Sequence, residues 1–301
     1  MGLLCDALGV LRAEGYTQVS LSGGEPLVYR PLSKVVERAH ELGFRVTMVT
    51  NGLLAAKRLA SLLPLLDGIA VSFDGLPDTH NTMRGRADAF ERAAAGLHWL
   101  AEKEAPVGAA VSLARDAIPE LPELADQLAA LGARAVQVRP VARAGRARSL
   151  AETSFYDESD RARLYLVVLA LQLELPDVRL HCDLAPAQGL WEQRDAYAGL
   201  LGECEHLPRG ERPLAELVNP LVVTDTGSLK PIAYDFADRF DIGSLDELSP
   251  EALREYKEVR LPGLQALLGG ALAGLQDRQD LVDWFDHCAR LSEARPMSFS
   301  A

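Results

Sequence analysis

The sequence predicts an α/β fold built on a parallel sheet. Three observations predict it. Five short β-branched runs alternate with amphipathic helical runs through the first half of the chain, one helix separates each strand from the next, and the strands end in polar or glycine-rich turns. A single crossover helix between successive strands requires parallel pairing with right-handed connections. Ligand chemistry in such folds gathers at the carboxyl ends of the strands.

Each element has a local reason. Gly2 to Glu14 reads as a helix, and Thr17 to Leu21 as a strand running into Ser22-Gly23-Gly24. Pro31 opens a helix that reaches Leu42 and stops at Gly43, the usual position for a left-handed cap. Phe44 to Val49 is a strand closed by Asn51-Gly52, Leu53 to Leu63 reads as helical, and Gly68 to Phe73 is a strand closed by Asp74-Gly75. His80 and Arg84-Gly85 then fall in an expected loop, where an isolated histidine is usually a surface group. Ala87 to Glu104 is a helix, Val107 to Leu113 a strand, Leu121 to Leu131 a helix stopped by Gly132, and Ala135 to Val138 the fifth strand. The strands read as continuous apolar runs, which predicts a sheet buried on both faces. The chain opens on a helix, so a barrel built from these units would lack a strand before Gly2.

The second half changes character after a basic loop at Arg139 to Arg148. Glu158 to Glu174 is a helix and Val178 to Cys182 a candidate strand. Leu217 to Tyr234 suggests a hairpin turned at Asp225-Thr226-Gly227, and helices at roughly 249–267 and 278–291 close the chain. Two domains are expected, at 1–150 and 151–301.

Composition narrows the function. A 48% apolar fraction over 301 residues excludes whole-chain disorder. The 43 acidic residues against 31 basic ones leave a net charge of −12, which argues against a nucleic-acid or anionic-lipid partner. No apolar run approaches 18 residues, and no secretory leader pattern opens the chain, so a cytoplasmic protein away from membranes is expected. The four cysteines (Cys5, Cys182, Cys204, Cys288) form no C-x-x-C or C-x-x-x-C pair.

The strand ends carry the chemistry. At Ser22-Gly23-Gly24-Glu25-Pro26, two glycines let a ligand approach the backbone, and their carbonyls with the Glu25 carboxylate form a ring of acceptors suited to an ammonium group. No lysine follows to make a phosphate cradle. A tight turn with no ligand is the competing reading. Thr50-Asn51-Gly52 and Ser72-Phe73-Asp74-Gly75 close the next two strands. Ser72 and Asp74 alternate with Phe73 and can face one mouth, where a hydroxyl and a carboxylate suit a ribose diol or an amino-acid headgroup. Asn-Gly and Asp-Gly are also ordinary turn dipeptides. The pairs His181-Cys182, Cys204-x-His206 and His287-Cys288 suggest a metal only if the fold gathers them; core and surface roles are the simpler reading. Arg139, Arg143, Arg146 and Arg148 suit an acidic ligand or a solvated loop.

Taken in order, L-S-G-G-E-P-L, the strand ending T-N-G, the strand ending S-F-D-G with its following His and Arg-Gly, and the 129–133 and 139–147 stretches resemble the radical S-adenosylmethionine (SAM) superfamily over about residues 1–150. The resemblance implies a partial (β/α)6 barrel, here missing its first strand and followed by a smaller α+β domain. It implies that Gly23, Gly24 and Glu25, next to Ser22, hold the SAM amino group. Asn51 and Ser72 would lie near its carboxylate or ribose, Asp74 on the same rim, and Arg139 with Pro140 on the adenine-side strand. The family also implies a [4Fe-4S] cluster on three cysteines spaced C-x-x-x-C-x-x-C after the first strand. That motif is absent, and Cys5 alone cannot replace it. As the sequence stands, it is expected to do no radical chemistry.

The run Thr226-Gly227 to Pro231-Ile232, followed by Ile242-Gly243-Ser244-Leu245, is similar to the auxiliary-cluster (SPASM-like) domain of peptide-modifying members, with Ile232 where that pattern has a cysteine. Two expectations follow. One is a peptide- or cofactor-modifying enzyme lacking its first strand and cluster loop. The other is a cluster-less barrel that binds SAM, a peptide or a protein. In either, a partner would cover the strand edge near residues 16–22.

Overall fold

The structure is a computed structural model, and it describes residues 2–143, 145–202 and 208–294. Cys204 and His206 lie outside the described residues, as does the Arg146 side chain. The chain divides into two compact units. One is Thr17–Leu184. The other combines the described residues up to Tyr16 with those from Ala185 onward.

The elements run in chain order as α1 (Gly2–Ala13), β1 (Gln18–Leu21), α2 (Leu32–Glu41), β2 (Arg45–Thr50), α3 (Ala55–Arg58), β3 (Gly68–Phe73), α4 (Pro77–Arg84), α5 (Ala89–Glu102), β4 (Val107–Leu113), α6 (Leu121–Ala130), β5 (Ala135–Pro140), α7 (Glu158–Glu174) and β6 (Arg179–Cys182). Six strands pair in parallel in sequence order, with β1 and β6 at the two ends of that order. The sheet is the α/β core that the strand–helix alternation predicts. It continues past residue 150 because α7 and β6 add one more helix–strand unit. An Asp157–Asp160 capping box opens α7, with Asp160 held by Arg115 at 2.8 Å.

The two faces of the sheet differ, which corrects the expectation of burial on both. Val46, Met48, Ile69, Val71, Phe73, Val111, Val136, Val138 and Leu180 are buried on the helix-covered face. The alternate positions Thr47, Val49, Ala70, Ser72, Ala110, Ser112 and Gln137 are only half-buried, and Arg139 and His181 are exposed. Register puts Ser72, Ala110, Gln137 and His181 in one row across this open face, and Ser112 beside Arg139. Apolar residues on both faces masked this asymmetry, because alanine and valine serve a half-open surface as well as a core.

The expected helix at Leu53–Leu63 shrinks to the single turn α3 and a 3₁₀ turn at Leu63–Leu65. Pro64 explains the break: it removes a backbone donor inside the apolar run.

The second unit contains β7 (Leu184–Pro186) from Ala185 on, α8 (Ala187–Glu192), α9 (Ala198–Leu201), α10 (Leu214–Leu217), β8 (Leu221–Val223), β9 (Ser228–Pro231), β10 (Gly243–Ser244), α11 (Pro250–Glu255), α12 (Leu261–Ala273), β11 (Leu281–Asp283) and α13 (Trp284–Glu293). A π-helical segment, Tyr256–Arg260, joins α11 to α12. The predicted hairpin is present: β8 and β9 pair antiparallel around Gly227 at φ +86°, and β10 adds to β9. Buried Lys230 donates to the Phe236 carbonyl at 2.9 Å, Asp238 at 2.7 Å and Asp241 at 2.9 Å. Burial opposes its charge, but these partners outweigh it and raise its pKa. Ile232 is buried in the core of this unit at φ +68°, an unusual backbone for a β-branched residue, with its N–H on the Pro220 carbonyl at 2.9 Å.

Helix α1 belongs to this same unit. The Glu14 carboxylate accepts from the Leu214 N–H at 2.7 Å and from buried Lys257 at 3.0 Å, and the Tyr16 hydroxyl donates to the Val218 carbonyl at 2.6 Å.

Candidate functional site

The carboxyl end of β1 turns through Ser22, Gly23 and Gly24, all exposed. Gly23 has φ +109°, a backbone that side chains avoid, and a Cβ added at Gly23 or Gly24 would meet nothing within 4 Å. The backbone therefore lies open to an approaching group. Glu25 fastens this turn. Its Oε1 accepts from the Leu27 N–H at 3.0 Å and from the Thr50 hydroxyl at 2.7 Å, and its Oε2 accepts from the Asn51 N–H at 2.7 Å. A carboxylate offers about four acceptor sites, so these three bonds leave roughly one, on Oε2. Glu25 is chiefly a clasp between the first two strand ends, with a single acceptor position to spare.

Asn51 accepts the Leu53 N–H on Oδ1 at 3.0 Å, forming a local side-chain turn. The turn is seated from behind. Gly52 has φ +78°, and a Cβ built on Gly96 of α5 would lie 2.4 Å from the Gly52 carbonyl oxygen. Two glycines thus let α5 pack directly on the T-N-G turn.

Ser72 faces the open side of the sheet, half-buried. Asp74 takes a different course. It is 6% exposed, and its carboxylate is gripped by Arg84, Nε on Oδ2 at 2.5 Å and Nη2 on Oδ1 at 3.0 Å. The Asp74 N–H donates to His80 Nδ1 at 3.1 Å, which assigns the imidazole proton to Nε2. His80 packs between Phe73 and Phe90, with ring centroids 5.6 and 5.9 Å away.

The expected loop here is helix α4, and His80 is a core residue. Pro77 opens α4, and Gly85 at φ +65° closes it. Its polar sequence buries only His80, so no apolar period revealed it. Glu120 caps its start, accepting from the Leu76 N–H at 2.6 Å and the Thr79 hydroxyl at 2.5 Å.

Arg139 extends from β5 onto the open face and contacts Asp183 at 3.2 Å. Asp183 also accepts from Gln137 Nε2 at 2.8 Å, and His181 Nε2 lies 3.6 Å from it. Arg143 pairs with Glu152 and stacks over Phe155 at 4.0 Å, so the basic loop is partly satisfied internally.

Sequence reasoning missed Glu120 and Asp183, and assigned no site role to Thr50, His80 or Arg84. Thr50 stood inside a quoted motif. The others act across 6 to 46 positions of chain, where no local pattern exists.

The residues present fit SAM in part: an open, glycine-shaped backbone, one spare carboxylate acceptor, and Asn51 and Ser72 at neighbouring strand ends. They do not fit a four-iron cluster. Among the described residues no three His, Cys, Asp or Glu side chains gather as a metal-binding group. Cys5, Cys182 and Cys288 form no disulfide bond among the described residues. Among the described residues no helix is long and apolar enough to cross a membrane.

Residues 6–127 match the Radical SAM superfamily. Fe-coproporphyrin III synthase of Methanosarcina barkeri is 32% identical over 120 residues, 39% of this chain and 30% of that protein. The sporulation killing factor maturation protein SkfB of Bacillus subtilis is 30% identical over 125 residues, 41% of this chain and 30% of that protein. The chain thus spans under a third of the length of these two relatives. Among solved structures, Streptococcus suis SuiB bound to S-adenosylmethionine superposes with a TM-score of 0.65 at 14% identity, covering 88% of this chain and 60% of that one. Native anSMEcpe with bound AdoMet does so with a TM-score of 0.63 at 12% identity, covering 97% and 85%. At such identity these structures establish a shared fold. The similarity to the Radical SAM superfamily lies in residues 6–127, about two fifths of the chain.

Proposed function

We propose that this chain binds S-adenosylmethionine at the Gly23–Gly24 turn and presents it over the open sheet face to a peptide or cofactor-precursor substrate. One observation carries the reading. The Glu25 carboxylate joins the G-G turn to Thr50 and Asn51, holding two strand ends as one rim while the backbone beside it stays open. When bound, SAM supplies an activated sulfonium with an ammonium, a carboxylate and a ribose for the protein to grip. The Gly23 and Gly24 carbonyls and the spare site on Glu25 Oε2 accept from the ammonium. Asn51 and the Ser72 hydroxyl serve the carboxylate or ribose, and Arg139, steadied by Asp183, lies on the adenine side. Asp74 acts through Arg84 and His80 to fix the end of β3. The peptide class of substrate is supported by the similarity to SkfB and to SuiB, which is also described bound to the precursor peptide SuiA.

A second reading is a module that binds SAM or a peptide without cleaving SAM. Buried Ile232 at the position expected to hold a cysteine favours it.

Isothermal titration of the chain with SAM tests the binding site. Saturable one-to-one binding that Gly23→Val weakens at least tenfold is expected. Absence of binding, or equal binding by a folded Gly23→Val variant, would refute the site. 5′-Deoxyadenosine formed from SAM under reducing anaerobic conditions would refute the second reading.

A further inference from the structure

Helix α7 is apolar on two opposite sides. Leu164, Val168 and Leu171 are buried against the sheet unit. Leu166, Leu169 and Leu173 point away from it, 64%, 40% and 84% exposed. With exposed Ala162 and Ala170, they form an outward stripe at spacings of three and four residues. An exposed apolar stripe on a helix whose opposite side is already buried in its own core marks a surface that a partner can cover. This side of α7 is not covered by any described part of the chain.

The charges beside the stripe indicate what covers it. At 100° per residue, Arg163 and Glu174 lie on the same flank of the stripe, at opposite ends of a 17-residue helix. Both are exposed. They are 11 positions apart (174 − 163), about 16 Å along the axis. A second α7 laid antiparallel about a two-fold axis near residue 169 brings Leu166 opposite Leu173 and sets each Arg163 near the other copy's Glu174. Antiparallel pairs place like flanks together, so both ion pairs form at once. A parallel two-fold copy would bring unlike flanks together and leave neither Arg163 nor Glu174 facing an opposite charge of this pair. The stripe is therefore self-complementary in shape and charge, as a two-fold interface must be.

We propose that the outward face of α7 is a dimer interface that takes a second copy of this chain, antiparallel, with Arg163–Glu174 pairs flanking a leucine seam. A single helix pair buries less than the roughly 1,200–2,000 Å² of standard stable interfaces, which places it among the weaker, reversible ones.

Sedimentation equilibrium of the full chain from about 1 to 100 µM tests this. Twice the monomer mass should dominate at the top of the range. Leu173→Glu, and independently Leu166→Lys, should give folded monomers, with circular dichroism confirming the fold; the high exposure of both positions keeps the variants informative. Arg163→Glu alone and Glu174→Arg alone should each weaken self-association at least tenfold, and an equimolar mixture of the two should form a heterodimer, because every cross-pair is then opposite in charge. A wild-type monomer throughout the range would overturn the proposal. So would a dimer indifferent to Leu173→Glu and Leu166→Lys. A mixture that associates no better than the single variants would overturn the antiparallel arrangement.

Discussion

Gly96→Ala sets two effects of opposite sign against each other. In a helix interior alanine is favoured over glycine by about 1 kcal/mol. At Gly96 the new methyl carbon would lie 2.4 Å from the Gly52 carbonyl oxygen and 3.0 Å from its carbonyl carbon. Both are backbone atoms, which cannot swing aside as a side-chain tip would, so α5 or the Gly52 turn must move by the better part of an ångström. Overpacking of this kind costs about 1–3 kcal/mol, occasionally more. Subtracting the propensity gain leaves a net destabilisation of about 0–2 kcal/mol, and about 1–3 kcal/mol relative to a control that keeps the propensity gain. Gly270→Ala in α12 is the control, since its Cβ would meet nothing within 4 Å. It should be neutral or stabilise by up to about 1 kcal/mol. Urea denaturation followed by circular dichroism, with the transitions of the two units fitted separately, reads both effects. SAM titration should also show weaker binding for Gly96→Ala, because the Gly52 carbonyl belongs to the turn that carries Asn51. A Gly96→Ala protein as stable as the Gly270→Ala control would refute the reasoning that α5 seats the T-N-G turn by glycine contact.

Glu25→Gln keeps one acceptor oxygen but turns an NH₂ toward donors on Leu27, Thr50 or Asn51. With Thr50 only 2% exposed, a loss of about 1–3 kcal/mol and a lower melting temperature are expected; an unchanged melt would show that the clasp contributes nothing. Burial lowers the His287 pKa, with the Arg278 and Arg290 charges adding to the effect. As pH falls through about 6.5, the unfolded chain takes up the proton first, so stability should drop there. His287→Asn should flatten the pH–stability profile in that window, and an unaltered slope would contradict it. Burial, followed by the Asp283 charge, pushes the Cys288 thiol up, and its side chain is fully enclosed. A thiol reagent at pH 8 should therefore label Cys288 only after unfolding. Native labelling as fast as at half-buried Cys5 would argue against that packing.

The first half was legible because its signals are local. Gly43 and Gly132 end helices where a left-handed residue is needed, and Asp225-Thr226-Gly227 turns a hairpin. The strand ends were legible as motifs, since glycines at a turn announce themselves without a fold. What those motifs do was less readable. Glu25 looked like a ligand acceptor, yet most of its capacity ties two turns together. Asp74 looked like a partner for Ser72, yet Arg84 and His80 enclose it. Both outcomes depend on donors delivered by other elements, and composition or periodicity carries no trace of them. Helix α4 escaped notice because its stabilisation comes from Pro77, Gly85 and the distant Glu120 cap rather than from an apolar stripe.

The placement of α1 shapes how this chain comes to be folded. Residues 17–184 form a contiguous unit whose strands pair with sequence neighbours, so it can assemble as it emerges from the ribosome. Helix α1 is synthesised before the sheet unit, yet Glu14 bonds to Leu214 and Lys257, and Tyr16 to Val218, across 200, 243 and 202 positions. Its partners exist only after the whole sheet unit has been made. Helix α1 thus docks after the sheet unit that follows it, and it waits with an apolar face exposed while that unit folds behind it. Chains that terminate early would leave that helix stranded, an opening for a chaperone to tell unfinished copies from finished ones.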